Sequence, residues 1–223
     1  MNIAEALDYF LSRVAPELEA LGLIRNKKGD VWGIAENPYK FSFQIHISPG
    51  VSNPSTFLFH STFSINRSDL SNYVLNLENN LRKIKSMPAL KNKRPLISVT
   101  DWQEIYKEND IVDKAVWFAS MKEVQENEKF ENDFRELVKL ALHYFEESKK
   151  LNFCIDKLMH KGYLASNLAF ISIASSVSNE FLREKFSALR DANSEKTSWN
   201  EMEMKAALHF VELNQFKPKY PFK

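Results

Sequence analysis

The chain has 223 residues, 44% hydrophobic and 26% charged, with 30 Lys and Arg against 29 Asp and Glu for a formal net charge of +1. That balance excludes a largely disordered chain and gives no overall field for nucleic acid or an anionic membrane. A single cysteine rules out an intrachain disulfide and a cysteine-built zinc site, and only five glycines argue against loops that cradle phosphate.

Ile3, Leu7, Phe10, Leu11, Val14, Leu18 and Leu21 recur at helical spacing, with Asn2 as the N-cap. Pro16 is expected to kink this helix or split it near Ala15, and Gly22 to end it. Residues 23–27 and 31–36, joined through Lys28 and Gly29, read as a hairpin. Asn37 and Pro38 then turn the chain into its densest β-stretch, residues 39–66. Tyr39, Phe41, Phe43, Ile45 and Ile47 alternate there with Lys40, Ser42, Gln44, His46 and Ser48. Phe57, Phe59, Phe63 and Ile65 repeat the period after a loop containing Pro49 and Gly50. Successive strand side chains point to opposite sides, so the pattern predicts an aromatic face under helices and a polar face open to a partner.

From Leu70 the period changes. Leu70, Val74, Leu77, Leu81 and Ile84 form a helical stripe, capped by Ser68 or Asp69 and stopped by Pro88. Residues 90–95 read as a basic loop, 96–102 as a short strand or a helix entry, and 111–120 fits either a helix or a strand. Beyond about residue 121 the chain reads as helical. Phe130, Phe134, Leu137, Val138, Ala141, Leu142 and Phe145 make an amphipathic stripe, and Gly162 closes a helix over 151–160. Residues 164–177 read as a buried helix, followed by 179–189 and 199–213, the last with Trp199, Met202, Ala206, Phe210 and Leu213 on one side. The expected architecture is α+β: an antiparallel sheet of about four strands packed on helices, then an all-helical C-terminal part. The domains are expected at 1–112 and 113–223, although no linker composition marks the boundary and the halves can share a core.

The tract 164–177 is interrupted by serines and Asn167 and is shorter than the roughly 20 residues of a membrane span. Residues 1–10 carry Glu5 and Asp8 and lack the basic flank of a secretory signal. A soluble, cytoplasmic protein is expected, with Cys154 as a buried structural thiol.

Candidates for function start with Gln44, His46 and His60, which share the polar parity of the aromatic strands. Paired as a hairpin, these strands bring the two imidazoles within a residue or two of direct opposition. Two histidines can begin a metal site, but a third donor is needed, and Asp30 and Glu36 are the nearest acids in sequence. Surface or groove histidines fit the pattern better, so no metal and no cofactor is assigned. Arg82, Lys83, Lys85, Lys91, Lys93 and Arg94 form a basic run without an acid between them. Such a run can hold phosphates or an acidic protein surface. It lacks the interleaved aromatics on which single-stranded bases stack, so a solvated helix end and loop is the expectation. Glu123, Glu126, Glu128, Glu131, Asp133 and Glu136, mixed with Lys122, Lys129 and Arg135, read as a solvated helix face. His160 suits a helix C-terminus, and His209, between Leu208 and Phe210, reads as a packing histidine. There is no GxxxxGK[ST], HExxH or GxSxG motif and no clustered-glycine dinucleotide fingerprint.

A leading helix leaves through Leu21, Gly22, Leu23, Ile24, Arg25, Asn26, Lys27, Lys28 and Gly29. Strands follow with Phe43-Gln44-Ile45 and Phe63-Ser64-Ile65, then Trp102 and a helical stretch carrying His143, Tyr144, Phe145, Glu146 and Glu147. In these features the chain resembles the bacterial family called domain of unknown function 4304, although Leu23 replaces the family's usual aromatic after the glycine. The resemblance implies a cytoplasmic bacterial domain of undefined biochemistry. Some bacterial domains of that general kind are immunity proteins that block toxins by direct contact. It carries over no functional residue.

The expected function is that of a non-enzymatic, immunity-like domain that binds another protein, without membrane or nucleic acid. The alternatives are a metal-dependent enzyme at His46 and His60 and a nucleic-acid binder through 82–94.

Overall fold

The computed structural model describes residues 3–26, 31–50, 56–90, 102–159, 161, 163–192 and 201–223. Its described residues form five strands, β1 (Ile24–Arg25), β2 (Val31–Glu36), β3 (Tyr39–Pro49), β4 (Thr56–Arg67) and β5 (Val116–Ser120), in one antiparallel sheet. Their order across the sheet follows their order in the chain. The α+β expectation holds, with one strand more than expected. Residues 112–120, which fit either state in sequence, form both: a turn of helix, α4 (Val112–Ala115), runs into β5 along the edge of β4.

The chain divides into two compact units interleaved in sequence: residues 1–36, 40–64 and 100–145 in the first, and 37–39, 65–99 and 146–223 in the second. The first unit holds most of the sheet, with α1 (Ile3–Ala20), α3 (Trp102–Glu108), α5 (Met121–Glu126) and nearly all of α6 (Lys129–Glu147). Burial follows the alternation read from sequence. Phe41, Phe43, Ile45, Phe59 and Phe63 are buried, while Lys40 and His46 are exposed and Ser42, Gln44 and His60 are half-buried.

The aromatic face is covered by α1 and α6. Phe10 of α1 packs against Phe59, Trp117 and Phe134 with ring centroids 5.7, 5.8 and 5.5 Å apart. Phe134 of α6 meets Phe43 edge-on at 5.3 Å, and Phe145 meets Phe41 at 5.4 Å. Trp117 stacks between Phe59 at 3.9 Å and Phe130 at 4.1 Å. Offset and edge-to-face rings contribute roughly 0.5–1.5 kcal/mol a pair beyond the area they bury.

Pro16 does not split α1, which continues to Ala20. The proline withholds one helical donor, and the buried Phe10, Leu11, Val14 and Leu18 hold the helix against the sheet on either side of it. Gly22 ends the helix as expected, at φ +80°. Its N–H donates to the Glu19 carbonyl at 2.9 Å and that of Leu23 to the Leu18 carbonyl at 3.0 Å, a paired cap that needs a left-handed residue. Gly33 is required for another reason: a Cβ there would lie 2.8 Å from the Phe41 carbonyl oxygen. The acidic run is less solvated than expected. Glu131 is buried and binds Arg13 at 2.7 Å, and Asp133 is buried too. Its Glu131–Arg135 pair forms at 3.7 Å, but Arg135 also reaches Glu17 of α1.

The second unit gathers α2 (Ser68–Ile84), α7 (Leu151–Met159), α9 (Asn179–Ala192) and α10 (Glu201–Leu213) around α8 (Leu164–Ser175). Residues 166–175 of α8 are all buried, as its apolar run predicts. Two of its serines bond back along the helix, Ser172 Oγ donating to the Leu168 carbonyl at 2.6 Å and Ser175 Oγ to that of Ser172 at 2.7 Å. In α2, Leu70, Val74, Leu77 and Leu81 are buried but Ile84 is exposed. Neither Ser68 nor Asp69 is the N-cap of α2. Arg67 is, without a side-chain cap. The stripe expected on α10 is also displaced: Ala207 and Val211 are buried while Met202 and Leu213 are exposed, because α10 is turned to present its small residues to α2 and α8. His209 is accordingly exposed, not packed.

Arg67 is fully buried. Its guanidinium donates to both Asp69 carboxylate oxygens, at 2.9 and 3.3 Å, to the Tyr39 hydroxyl at 2.9 Å and to the Tyr220 carbonyl. Phe222 lies 4.0 Å from its centre. Lys223 exchanges backbone hydrogen bonds with Lys149 and Leu151, at 3.0 and 3.2 Å. Cys154, buried as expected, donates its thiol to the Ser148 carbonyl at 3.0 Å, and burial pushes its pKa up to about 12.

Phe10→Ala is expected to cost about 3–5 kcal/mol, read as a lowered urea midpoint. Ile84→Ala, on an exposed residue, is expected to stay within about 0.5 kcal/mol. Asp69→Asn, which leaves the Arg67 charge buried beside a neutral amide, is expected to cost about 3 kcal/mol. It should also open the segment 217–223 to limited proteolysis before the rest of the chain.

Candidate functional site

Two hydrogen bonds set the register of the β3–β4 hairpin. Ser42 Oγ and Ser64 Oγ share one at 2.7 Å, and the Gly50 N–H donates to the Thr56 carbonyl at 2.8 Å. Counting inward from both ends, Gln44 falls opposite Thr62 and His46 opposite His60. The two imidazole centroids are 5.9 Å apart, as direct cross-strand neighbours should be. β5 extends the rows, since Val116 pairs with His60 and Phe118 with Leu58. The outward face thus carries His46–His60–Val116 in one row and Ser48–Leu58–Phe118 in the next.

This face is less polar than the strand alternation implies. Phe118 is 64% exposed and Val116 37% exposed, two of the larger apolar side chains left in solvent. Val112, one turn earlier on α4, is 46% exposed. Val116 and Phe118 lie on the edge strand of the sheet, and the rows beside them run through His60 to exposed His46 and through Leu58 to exposed Ser48, so an apolar edge adjoins a more polar face.

α3 closes the face along β4. Trp102 meets His60 nearly edge-on, with centroids 4.8 Å apart, and Tyr106 lies 5.6 Å from Trp102. Together with Lys107, Val112 and Val116 these residues line a groove of about 310 Å³. Tyr106 is buried, and its hydroxyl has no hydrogen-bond partner among the described residues. Burial raises its pKa well above the ordinary phenol value, so the hydroxyl keeps its proton. Burial, and secondarily the neighbouring His46, lowers the pKa of His60.

Gln44, His46 and His60 are therefore brought together as expected. No third ligand joins them: among the described residues no group of three or more His, Cys, Asp and Glu is placed to hold a metal ion. Glu36 thus forms no such group with the histidines, and Asp30 lies outside the described residues. The basic run belongs to the second unit. Its Arg82 binds Glu78 one turn back at 3.4 Å, Lys85 binds Glu203 of α10, and Lys83 is exposed. Lys91, Lys93 and Arg94 lie outside the described residues. A run without acids in sequence thus has two of its cations matched to carboxylates in space. Trp102, Tyr106, Val116 and Phe118 were not legible as site residues. The only hint was Trp102 in a segment of ambiguous period.

No family model matches the chain, and no curated protein or solved structure is found to be similar to it. The resemblance to domain of unknown function 4304 therefore rests on its few motifs alone. No helix among the described residues is long and apolar enough to cross a membrane.

The lowered His60 pKa has a definite consequence for stability. The unfolded chain carries an ordinary histidine that titrates near 6.5, while the folded chain resists the same proton. Between the two values the unfolded state binds more protons, so stability is complete above about pH 7 and falls as pH drops through the folded value. His60→Gln is expected to flatten that part of the slope, measured as urea midpoints between about pH 7.5 and 5.5. An unchanged slope would count against the shift.

Proposed function

We propose that the chain is a non-enzymatic binding protein that docks a protein partner on the outward sheet face centred on His46, His60 and Phe118. The observation that carries this reading is the exposed Phe118 in an apolar strip with Val116 and Val112 at the sheet edge, next to the row that holds His60 and His46. Exposed apolar side chains grouped beside polar ones mark protein interfaces, and large aromatic side chains supply most of the affinity there. The sheet beneath it is held by buried rings, so the surface is preorganised and docking costs little ordering entropy. The single thiol, buried and unable to form an intrachain disulfide, supports a reducing, cytoplasmic setting. The basic residues 82–94 do not favour nucleic acid, since Arg82 and Lys85 already hold carboxylates.

The reading is tested by using the tagged chain and its Phe118→Asp variant as baits in cells of the source organism. Binding of each purified partner is then measured by calorimetry. A specific partner is expected to bind the wild type and lose at least about thirtyfold in affinity with Phe118→Asp, the loss of one central aromatic contact. The variant should melt as the wild type does, because Phe118 is exposed. If the partner is a toxin, wild-type chain should suppress its toxicity and the variant should not, which would make the protein immunity-like. A partner held equally by both baits overturns the assignment of this face.

A further inference from the structure

We propose that the protein partner is held by strand addition: an extended segment of it pairs with the outer edge of β5, beside Phe118. The inference rests on the reading of this face as a docking surface and names the backbone chemistry that would hold a partner there. β5 is the last strand of the sheet, so nothing among the described residues pairs with its outer edge. Which backbone groups point that way follows from the ladder. The Gly50 N–H donates to the Thr56 carbonyl, so the backbone of Thr56 faces β3 and the backbones of Phe57 and Phe59 face β5. Ala119 and Trp117, opposite them, turn their N–H and C=O groups to β4, and Val116, Phe118 and Ser120 turn theirs outward.

The two ends of the strand are already engaged. The Val116 N–H donates to the Val112 carbonyl of α4. The Ser120 N–H donates to the Glu123 carboxylate at 2.7 Å in the capping box of α5, and an N-cap carbonyl serves the first turn of its helix. Neither N–H goes to β4, as the ladder requires. Left open at the edge are the N–H and C=O of Phe118 and the C=O of Val116. Such an edge is a template for another strand. The side chains beside it select an apolar segment: Phe118 and Val116 stand exposed on the outward side, and β-branched or aromatic cross-strand neighbours cover them best. A second copy of this chain fits less well. Two β5 strands paired about Phe118 would set each Val116 carbonyl against a Ser120 N–H that Glu123 already holds. A segment with its own N–H groups free satisfies every open position, so the occupant is an extended segment of another protein.

The test uses a phage library of random linear peptides of about twelve residues, selected on the full chain and counter-selected on Phe118→Asp. Each selected peptide is then synthesised. At saturation it is expected to slow hydrogen exchange of the Phe118 amide at least about tenfold, read by NMR, with the Trp117 and Ala119 amides unchanged. N-methylation at alternate peptide residues should weaken binding about tenfold, and at the residues between them should not. Phe118→Pro should bind about tenfold more weakly than Phe118→Ala and melt with it, because a proline whose missing N–H faces out from an edge strand removes no ladder bond. Peptides that bind through Phe118 but leave its amide exchange unchanged, show no alternation, or bind Phe118→Pro and Phe118→Ala equally overturn strand addition and leave the docking face standing. A library that yields no peptide dependent on Phe118 also overturns the proposal, while the bait experiment decides the docking face separately. A wild-type dimer that Phe118→Pro dissociates gives the edge to a second copy and overturns it too.

Discussion

The ring cluster on one face of the sheet is the constraint from which the first unit follows. Phe10, Phe59, Trp117 and Phe134 meet at centroid distances under 6 Å, with Phe43 and Phe130 extending the contact. Each ring buried in this way contributes about 1.5–3 kcal/mol of transfer free energy. Few arrangements satisfy all of them at once. α1 and α6 must both lie on the aromatic side, and β5 must enter the edge of β4 so that Trp117 can stack on Phe59. Once that side is closed, the alternation of β-strands leaves the other side of β3, β4 and β5 to solvent.

What reaches solvent is a consequence of register. A shift of one residue in β3 would turn His46 inward and Ile45 outward. The Ser42–Ser64 hydrogen bond and the Gly50–Thr56 backbone hydrogen bond hold the pairing that sets His46 against His60. β5 then adds Val116 and Phe118 to the same rows. The face combines neutral hydrogen-bonding groups with an apolar strip, and the helix beginning at Trp102 converts one margin of it into a concave groove.

The second unit solves a different problem. Its central helix, α8, is apolar all round and needs neighbours on every side, which α2, α7, α9 and α10 supply. The fully buried cation Arg67 is tolerated because a carboxylate, a phenol, a backbone carbonyl and an aromatic ring all surround it. Taking a guanidinium out of water costs several kcal/mol, and only such complete coordination offsets it. The segment ending at Lys223 is ordered by that same cation.

Much of this was written in local pattern. Strict alternation over residues 39–66 determined both aromatic strands and which residues they bury, because strand side chains change sides at every step. The stripe in α2, the buried character of α8, the glycine stop after α1 and the inert burial of Cys154 were legible for the same reason: each depends on neighbours within a few residues. The histidine pair was legible too, since parity and a hairpin suffice to place it. Tertiary structure alone decided the rest. Residues 112–120 satisfy two periods equally, and only the unpaired edge of β4 selects a strand there. Pro16 is overridden by burial of the residues around it, and α10 turns its alanine and valine inward because they fit between α2 and α8. Arg82 and Lys85 are paired with Glu78 and Glu203, the second far away in sequence. Trp102, Tyr106 and Lys107 line one groove with Val116 only because α3 and β5 meet β4, a juxtaposition with no periodic signature because it joins segments whose separation in the chain carries no information about their distance in space.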